Sequence, residues 1–596
     1  MIGGPYVMYS EITGITPTEE DIGRLLKPLD VRKVLFLLCR MNMHFRLASR
    51  SDGITFERAV GKAQEFLFNN FTDEVLFEQI KKTLEHTKTH ERALFHPLQL
   101  LKVMRCAMNY CRGVDAAENV TDEQRYIVGR CCLMMNDLLT TDEDNLKLLR
   151  GGDNTRRAEL MTQLLPGFEV NNPGEVMHLL YRSFGMFNLL MSDNSARTEI
   201  LNRTGNYDFP QRFYDLTGVM LERWIAVIFC FIAYYNQYGG SDGAGQEYKY
   251  LWIDPRAWVG TSKIAENDLS AVLGLTSNAI EEMVTAFESS SAIKPSVNVV
   301  PFKFHPLIRI GYLYICSDYG FLVEKMFAGA YWAIHNCEDD KGRKRLSSAW
   351  GILFERYVNW WAQNRSFQMS MTYHPFPVWT SCFKRKCKIC NPSNKEAFDA
   401  AIVQEGRFMA LEYKGGFLKL DAKYSMTLRS LLRELNKKIA KGCRQLARNI
   451  GELFGIVPGH QLQNISTNHI TRVIPVIVVQ DQALRSLGID WWLRRQFRRE
   501  MRREVLRPEI TVEPVTLIHI DEFETMIDSA EGPDFGLFET IQLRNFRDQE
   551  GMSDLHDLLL ESKGYGTRHS TRRKELEAEF NRCVLKYAFP SEYKSN

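Results

Sequence analysis

Several absences narrow what this chain can do. No GxxxxGK[ST] phosphate-binding loop occurs anywhere in the sequence, so we expect no motor or NTPase activity. The longest apolar run, WIAVIFCFIAYY at 224–235, has 12 residues and is too short to span a bilayer, which predicts a buried helix and no membrane association. The net charge is only +2, so a nucleic-acid-binding surface would have to be local.

Sequence features of the N-terminus and the cysteines favour a reducing compartment. The opening MIGGPYVMYSEIT has no basic segment followed by a long apolar one, so we expect no signal peptide. The 13 cysteines are scattered rather than spaced as a disulfide framework. Both observations predict a cytoplasmic protein.

The composition allows large folded domains. With 45% hydrophobic and 11% aromatic residues, 596 residues can form two to four domains. Apolar residues at three- and four-residue spacing recur over 18–290, which predicts a helical array as a domain at 1–290. Within it, 267–287 reads as a helical hairpin. A DNA-binding helix-turn-helix is less favoured there because its second helix carries Glu281 and Glu282 and no basic residue.

The following segment changes from helical to strand-like periodicity. Alternating runs predict a small β unit and linker at 291–340, and the charged stretch 335–348 is expected to be a hinge. An apolar helix is predicted at 349–363, with Glu355 and Arg356 as its only charged residues.

The stretch 398–416, FDAAIVQEGRFMALEYKGG, predicts a β-hairpin around a glycine turn at 404–406. Asp399 opens its first strand, while Glu412 and Lys414 close the second and project from one face. An antiparallel pair brings these ends together. Two carboxylates and a lysine at the end of a buried hairpin indicate a cation site, because unpaired buried charge is costly.

In these residues the chain resembles the PD-(D/E)XK nuclease superfamily, whose pattern is an acidic residue on one strand and acid-x-Lys on the next. Here the pattern is Asp399 followed by Glu412-Tyr413-Lys414, with Phe398 where the family often has proline. The resemblance implies a restriction-endonuclease-like mixed β-sheet core flanked by helices at 341–550. The whole chain would then be a multidomain α + α/β protein with the helical array at its N-terminus.

The resemblance also implies the roles of individual residues. Asp399, Glu412 and the carbonyl oxygen of Tyr413 would hold Mg²⁺ or Mn²⁺, and Lys414 would act on the attacking water. Glu355, on the helix ahead of the hairpin, would complete the metal shell or steer a bound water. Gln445, in KGCRQLARNI, resembles a residue of the following helix that points back to the site.

The function implied is a magnesium-dependent endodeoxyribonuclease. At the level of architecture it resembles effectors of prokaryotic antiviral defence and restriction. Two alternatives stay open: a catalytically silent nucleic-acid-binding or scaffolding protein with a nuclease-like fold, and a helical interaction protein without nuclease chemistry.

A cysteine cluster precedes the hairpin. Cys382, Cys387 and Cys390 fall within nine residues, and His374 is the nearest fourth ligand for a tetrahedral zinc. Either a structural zinc knuckle or reduced cysteines in a basic loop fits this pattern.

Basic residues follow the hairpin in two groups, at 418–455 and at 491–507, where they predict contacts with DNA phosphates. The candidate DNA-binding residues are Lys423, Lys437, Lys438, Lys441, Arg444, Arg494, Arg495 and Arg498. A strand is expected at 472–481, another at TVEPVTLIHIDEFE, and a basic helical tail at 551–596. The expected partners are DNA, a protein bound through the helical half and a second copy of the chain.

Overall fold

The fold is described from a computed structural model. It describes residues 6–47, 56–87, 93–114, 119–139, 154–171, 176–238, 251–259, 264–289, 293–294, 297–367, 371–377, 379–382, 396–456, 460–486, 488–547 and 574–579. The chain is mostly helical, with a mixed six-stranded sheet and a smaller three-stranded sheet, so the α + α/β class predicted from the sequence is confirmed.

The first half is the predicted helical array. Thr18 caps its second helix by accepting a hydrogen bond from the Asp21 N–H, and Pro28 lies between two helices where one long helix could have run. The helices are α1 (Tyr9–Thr13), α2 (Glu19–Leu26), α3 (Val31–Leu47), α4 (Phe56–Phe71), α5 (Glu74–Thr87), α6 (Pro97–Tyr110), α7 (Asp122–Leu139), α8 (Asn154–Asn171), α9 (Val176–Ser192), α10 (Asn194–Thr204), α11 (Phe209–Thr217) and α12 (Leu221–Tyr238).

The small sheet is built differently from the expected β unit. The helices α13 (Glu266–Thr276) and α14 (Ile280–Ser289) are joined by strand β1 (Ser277–Ala279), which pairs in parallel with β2 (Leu307–Ile310). Strand β2 pairs antiparallel with β3 (Leu313–Cys316). Helix α15 (Val300–Phe304) precedes β2 along the chain, and α16 (Tyr319–Lys325) and α17 (Ala328–Cys337) follow β3.

The expected charged hinge before the nuclease segment is wrong. Helix α18 runs from Asp340 to Ala362, so it takes in most of 335–348 as well as the predicted apolar helix. Asp339 caps it by accepting a hydrogen bond from the Gly342 N–H at 2.7 Å. Its first turns are charged because they are largely exposed, and Trp350 and Tyr357 further along are buried.

The predicted hairpin lies at the centre of the large sheet. Strand β6 (Ala400–Gln404) pairs antiparallel with β7 (Arg407–Lys414) and with the edge strand β4 (Thr372–Pro375). On its other side β7 runs parallel to β9 (Arg472–Val479), which confirms the strand predicted at 472–481. Strand β9 also pairs in parallel with two short strands, β10 (Thr511–Val512) and β11 (Thr516–His519). A separate pair joins β5 (Trp379–Cys382) to β8 (His460–Leu462).

The remaining helices follow the hairpin and flank the sheet. They are α19 (Leu420–Tyr424), α20 (Leu428–Lys438), α21 (Ala440–Phe454), α22 (Ile489–Met501), α23 (Ile520–Ser529) and α24 (Leu537–Arg547). The break between α20 and α21 is at Ile439, and Gly442 lies in the first turn of α21. The late strand is also shorter than predicted, because DEFE belongs to α23.

Two apolar cores cover the two faces of β7. Met409 and Leu411 join a core that continues through α18 into the helical half. Phe408 and Ala410 join a second core that includes α20, α21 and α22. Alternate residues of β7 therefore face different layers, as expected for a strand covered on both sides.

Within the described ranges, no helix taken singly is both long and apolar enough to cross a membrane. By length and composition alone, α11 together with 221–236 of α12 could do so as a pair bent by 74°.

Candidate active site

The hairpin brings Asp399 to the end of β7. Ala400 pairs with Leu411, and just before it the Asp399 N–H donates to the Leu411 carbonyl oxygen at 3.1 Å. The Asp399 carboxylate accepts the Tyr413 N–H at 2.5 Å, in the stretch of β7 that also carries Glu412. The backbone of the second strand therefore fixes the acid of the first.

Lys414 contacts three oxygens at this end of the hairpin. Its ammonium donates to Glu412 Oε1 at 2.5 Å and to the Tyr413 carbonyl oxygen at 2.9 Å, and lies 3.9 Å from Asp399 Oδ2. These are the oxygens that, by the resemblance, would hold a metal ion. The sequence prediction that Asp399, Glu412 and Lys414 meet is confirmed.

Two glycines allow helices to approach the site closely. A Cβ on Gly415, directly after Lys414, would lie 2.5 Å from Phe354 of α18. A Cβ on Gly442 of α21 would lie 3.0 Å from Lys414 Cε and 3.3 Å from Glu412 Cγ. The site is therefore enclosed between α18 and α21.

Burial makes the carboxyl groups hard to ionise. It raises the pKa of Glu412 to about 8, and the Asp399 charge adds to this while Lys414 opposes it. Burial and the nearby Asp399 charge also raise the pKa of Glu355 to about 8. Burial also raises the pKa of Asp399, against the pull of Lys414 and the Tyr413 N–H. For Lys414, burial would lower the pKa, but the carboxylates of Glu412 and Asp399 outweigh it and raise it.

The donor atoms fit a hard divalent cation. They are oxygens only, and Glu412 Oε2 is buried without a hydrogen-bond partner. A second positive charge would stabilise the ionised carboxylates whose pKa values burial raises. The residues that would hold such an ion are Asp399, Glu412 and Tyr413, the last through its carbonyl oxygen.

Glu355 faces this cluster from α18 but is not part of a tight triad. Among the described residues, one His/Cys/Asp/Glu triplet has ligand atoms all within 4.8 Å of one another, and it does not include Glu355. Glu355 also lies 3.9 Å from Arg203 Nη1. Its position suits steering of a water molecule better than completing a metal shell.

Gln445 lies on α21 one turn beyond Gly442 and is half-buried. Gln445 is on the helix that the resemblance implies, but within the described residues no hydrogen bond joins it to the acidic cluster.

The predicted DNA-binding residues divide into two groups. Lys437, Lys441, Arg444, Arg495 and Arg498 are exposed, and Lys438 is half-buried. Two of the predicted residues are buried ion-pair partners, and for them the prediction is wrong. Lys423 contacts Glu169 at 2.6 Å and Asp481 at 2.8 Å. Arg494 contacts Asp490 at 3.0 Å and Asn545 at 2.9 Å.

The predicted zinc site lies largely outside the described residues. Cys387 and Cys390 are not described, and of Cys382 only the backbone is, at the end of β5. His374 is half-buried on β4, and burial lowers its pKa.

Tyr373, Glu396 and Arg203 also lie near the acidic cluster, and the sequence did not single them out. The Tyr373 hydroxyl contacts the Tyr413 hydroxyl at 2.8 Å and donates to Asn359 of α18 at 2.6 Å. Glu396 carries a raised pKa from burial, with Arg203 opposing and Asp399 adding to the shift. Glu396 could have been suspected as an acid three residues before Asp399, but nothing local marks Arg203, almost 200 residues earlier.

A second, separate cluster has ligand atoms that all lie within 4.8 Å of one another. It consists of His178, Asp521 and Glu524. Arg182 forms an ion pair with Asp521 and contacts Glu524 Oε1 at 2.9 Å. Burial alone would raise the pKa of Asp521, but Arg182 and His519 hold it well below its usual range. Arg182 keeps the Asp521 carboxyl ionised, whereas the pKa values of Glu412 and Asp399 stay raised despite Lys414, so this cluster fits a structural ion pair better than a metal site.

Comparisons with known proteins do not identify a relative. No protein-family model matches the chain, and neither the curated proteins nor the solved structures give a significant match. The residues around Lys414 are therefore the basis for assigning a function.

Proposed function

We propose that this chain is a divalent-metal-dependent nuclease that hydrolyses DNA phosphodiester bonds. The observation that carries the proposal is the convergence of Asp399 Oδ2, Glu412 Oε1 and the Tyr413 carbonyl oxygen on the Lys414 ammonium. The ammonium does not use every oxygen of the cluster, because Glu412 Oε2 is buried without a hydrogen-bond partner, and this supports a site for a further cation.

The surrounding elements support a restriction-endonuclease-like core. Helix α18, the hairpin strands β6 and β7, helix α21 and the parallel strand β9 occur along the chain in the order that the resemblance implies. Helix α18 carries Glu355 ahead of the hairpin, and α21 carries Gln445 after it.

The chemistry would be divided between the metal and the chain. Bound Mg²⁺ or Mn²⁺ would act as a Lewis acid and lower the pKa of a bound water. Asp399, Glu412 and the Tyr413 carbonyl would hold the ion, and Lys414 would then release those oxygens. Its ammonium would hydrogen-bond the attacking water or neutralise charge that develops on the phosphate.

The basic residues that would attract phosphate are grouped near the acids, whereas the net charge of the whole chain is small. Lys441 and Arg444 are exposed on α21, the helix whose Gly442 packs against the site. Lys437 is exposed on the preceding α20. These side chains form a basic patch beside the acids in a chain with a net charge of only +2.

A digestion panel tests the proposal. Purified protein is incubated with supercoiled plasmid, linear duplex, single-stranded DNA and RNA, with Mg²⁺, Mn²⁺ or EDTA. We expect cleavage of at least one DNA substrate that EDTA abolishes. Salt-dependent binding without cleavage would instead support the silent nucleic-acid-binding alternative, and neither binding nor cleavage would support a helical interaction protein.

A further inference from the structure

Helix α10, from the helical half of the chain, lies against the nuclease segment at the acidic cluster. It packs along α18, and its Arg203 places Nη1 3.9 Å from Glu355 Oε2. A distance of 3.9 Å is long for an ion pair, so this contact leaves the guanidinium able to take another partner.

A series of contacts, beginning with an ion pair to Glu199, holds Arg203 at this position. Its Nη1 donates to Glu199, one turn earlier on α10, at 2.9 Å. The same Glu199 accepts a hydrogen bond from Arg356 of α18. Arg356 lies over the ring of Phe376 at 4.9 Å, and the Phe376 N–H donates to the Asp399 carbonyl oxygen at 3.1 Å. Contacts therefore connect Arg203 to the backbone of the acid that opens the hairpin.

Arg203 is more exposed than the three acids Glu355, Asp399 and Glu412. Its side chain is 46% exposed, against 21% for Glu355, 12% for Asp399 and 1% for Glu412. Its charge lowers the pKa values of Glu355, Asp399 and Glu396, although burial is the larger influence on each. The guanidinium thus lies beside the buried acids and is itself accessible to solvent.

We propose that Arg203 binds the phosphate at the scissile bond, so that the helical half completes the active site. This inference rests on the proposed nuclease function. A guanidinium suits the role because it is planar, always charged and able to donate two parallel hydrogen bonds to phosphate oxygens. In the absence of substrate, Glu199 and Glu355 keep it in place.

The test compares Arg203→Met and Arg203→Lys with a matched control on the same helix, Arg197→Met. Arg197 pairs with Asp208 and is 39% exposed, but it does not contact the acidic cluster among the described residues. For each protein, kcat and KM are measured with Mg²⁺ and a labelled DNA substrate. DNA affinity is measured in EDTA over a range of salt concentrations, and thermal unfolding checks the fold.

We expect Arg203→Met to lower kcat/KM by about 10²-fold and to reduce the salt slope of log affinity by about 1. Arg203→Lys should recover part of both, because the charge remains without the planar fork, and Arg197→Met should change neither. Cleavage within twofold of the wild type by Arg203→Met, with an unchanged salt slope, would overturn the inference and leave Arg203 as an ion-pair partner only.

Failure of the nuclease proposal is distinguishable from failure of this inference. A wild-type protein that binds DNA but never cleaves it overturns the nuclease function, and the salt slope then decides whether Arg203 contacts phosphate. A wild-type protein that neither binds nor cleaves overturns both.

Discussion

The Lys414 side chain illustrates how one residue can have two roles. In the structure its ammonium balances Glu412 and Asp399, which burial would otherwise make unfavourable as anions. A divalent ion at the same oxygens would remove the need for that balance. With an ion held by Asp399, Glu412 and the Tyr413 carbonyl oxygen, Lys414 would no longer be needed as their charge partner and would be available to hydrogen-bond the attacking water.

The raised pKa of Glu412 makes the stability of the fold depend on pH. Its pKa is about 8 in the folded chain and 4.5 ordinarily, so between these values the folded state holds a proton that the unfolded state has lost. Its contribution to stability is present below pH 4.5 and is lost as pH rises through 8. In EDTA we expect Glu412→Gln to flatten the fall in unfolding free energy over pH 5.5–8.5 by up to about 1.4 kcal/mol per pH unit. Denaturant titrations at several pH values measure this, and equal slopes for the variant and the wild type would contradict it.

Neighbouring arginines on α22 have opposite environments. Arg494 is buried on Asp490 and Asn545, whereas Arg495 is exposed over the Trp491 ring at 5.2 Å. We expect Arg494→Ala to destabilise the fold by about 1–3 kcal/mol, because Asp490 loses one of its two arginine partners while Arg544 remains paired with it. Arg495→Ala should leave stability within about 0.5 kcal/mol and weaken DNA binding with a smaller salt slope. Chemical denaturation and salt-dependent binding separate the two, and a reversed pattern would refute the assignment.

At the scale of elements, the hairpin could be predicted because its signals are local. The turn at Gln404–Gly406 is short, and the apolar residues of β7 suit a strand covered on both faces. The start of α18 could not be read the same way. Its charged first turns resemble a linker in sequence. They are charged because that end is largely exposed, and the Asp339 cap stabilises the start of the helix.

Gly442 offers a test of how closely α21 must approach the site. Alanine there should not lower helix stability, since glycine costs about 1 kcal/mol in a helix interior. Its Cβ would nevertheless press on Lys414 Cε and Glu412 Cγ. We expect Gly442→Ala to reduce cleavage at least about tenfold with little loss of melting temperature. The control is Gly351→Ala on α18, where a Cβ meets nothing within 4 Å, and equal activity of the two variants would show that the close approach is unimportant.

At the scale of the whole molecule, the two halves share one interior. The core on one face of the sheet continues through α18 into the N-terminal helices. Glu169 of α8 also contacts Lys303 at 2.5 Å and Lys423 at 2.6 Å, and Lys423 contacts Asp481 just beyond β9. The helical half is therefore packed into the structure that supports the site.

This packing predicts joint unfolding of the two halves. Glu169→Gln removes the charge that pairs with the buried Lys423 and the part-buried Lys303. Because Asp481 and Glu324 still pair with these lysines, it should destabilise the fold by about 1–3 kcal/mol. Calorimetry should show one transition that moves to lower temperature as a whole, with Glu159→Gln, an exposed position on the same helix, as the control. Two transitions, of which only one moves, would contradict a shared core.

The same scale explains what sequence reasoning could not find. Asp399, Glu412 and Lys414 lie within 16 positions of one another, so strand geometry alone brings them together. Arg203 and Glu169 reach the nuclease segment only through tertiary packing. Lys423 and Arg494 read as surface residues because a run of basic residues does not reveal which members turn inward.

The most direct test of the central claim is plasmid cleavage by a Glu412→Ala, Lys414→Ala double variant. Its control is Glu405→Ala, an exposed glutamate in the turn at the far end of the same hairpin. We predict that the wild type and the control cleave with Mg²⁺ and that the double variant, folded and still binding DNA, loses at least about 10²–10³-fold in rate. Mg²⁺-dependent cleavage by the double variant at the wild-type rate would contradict the account.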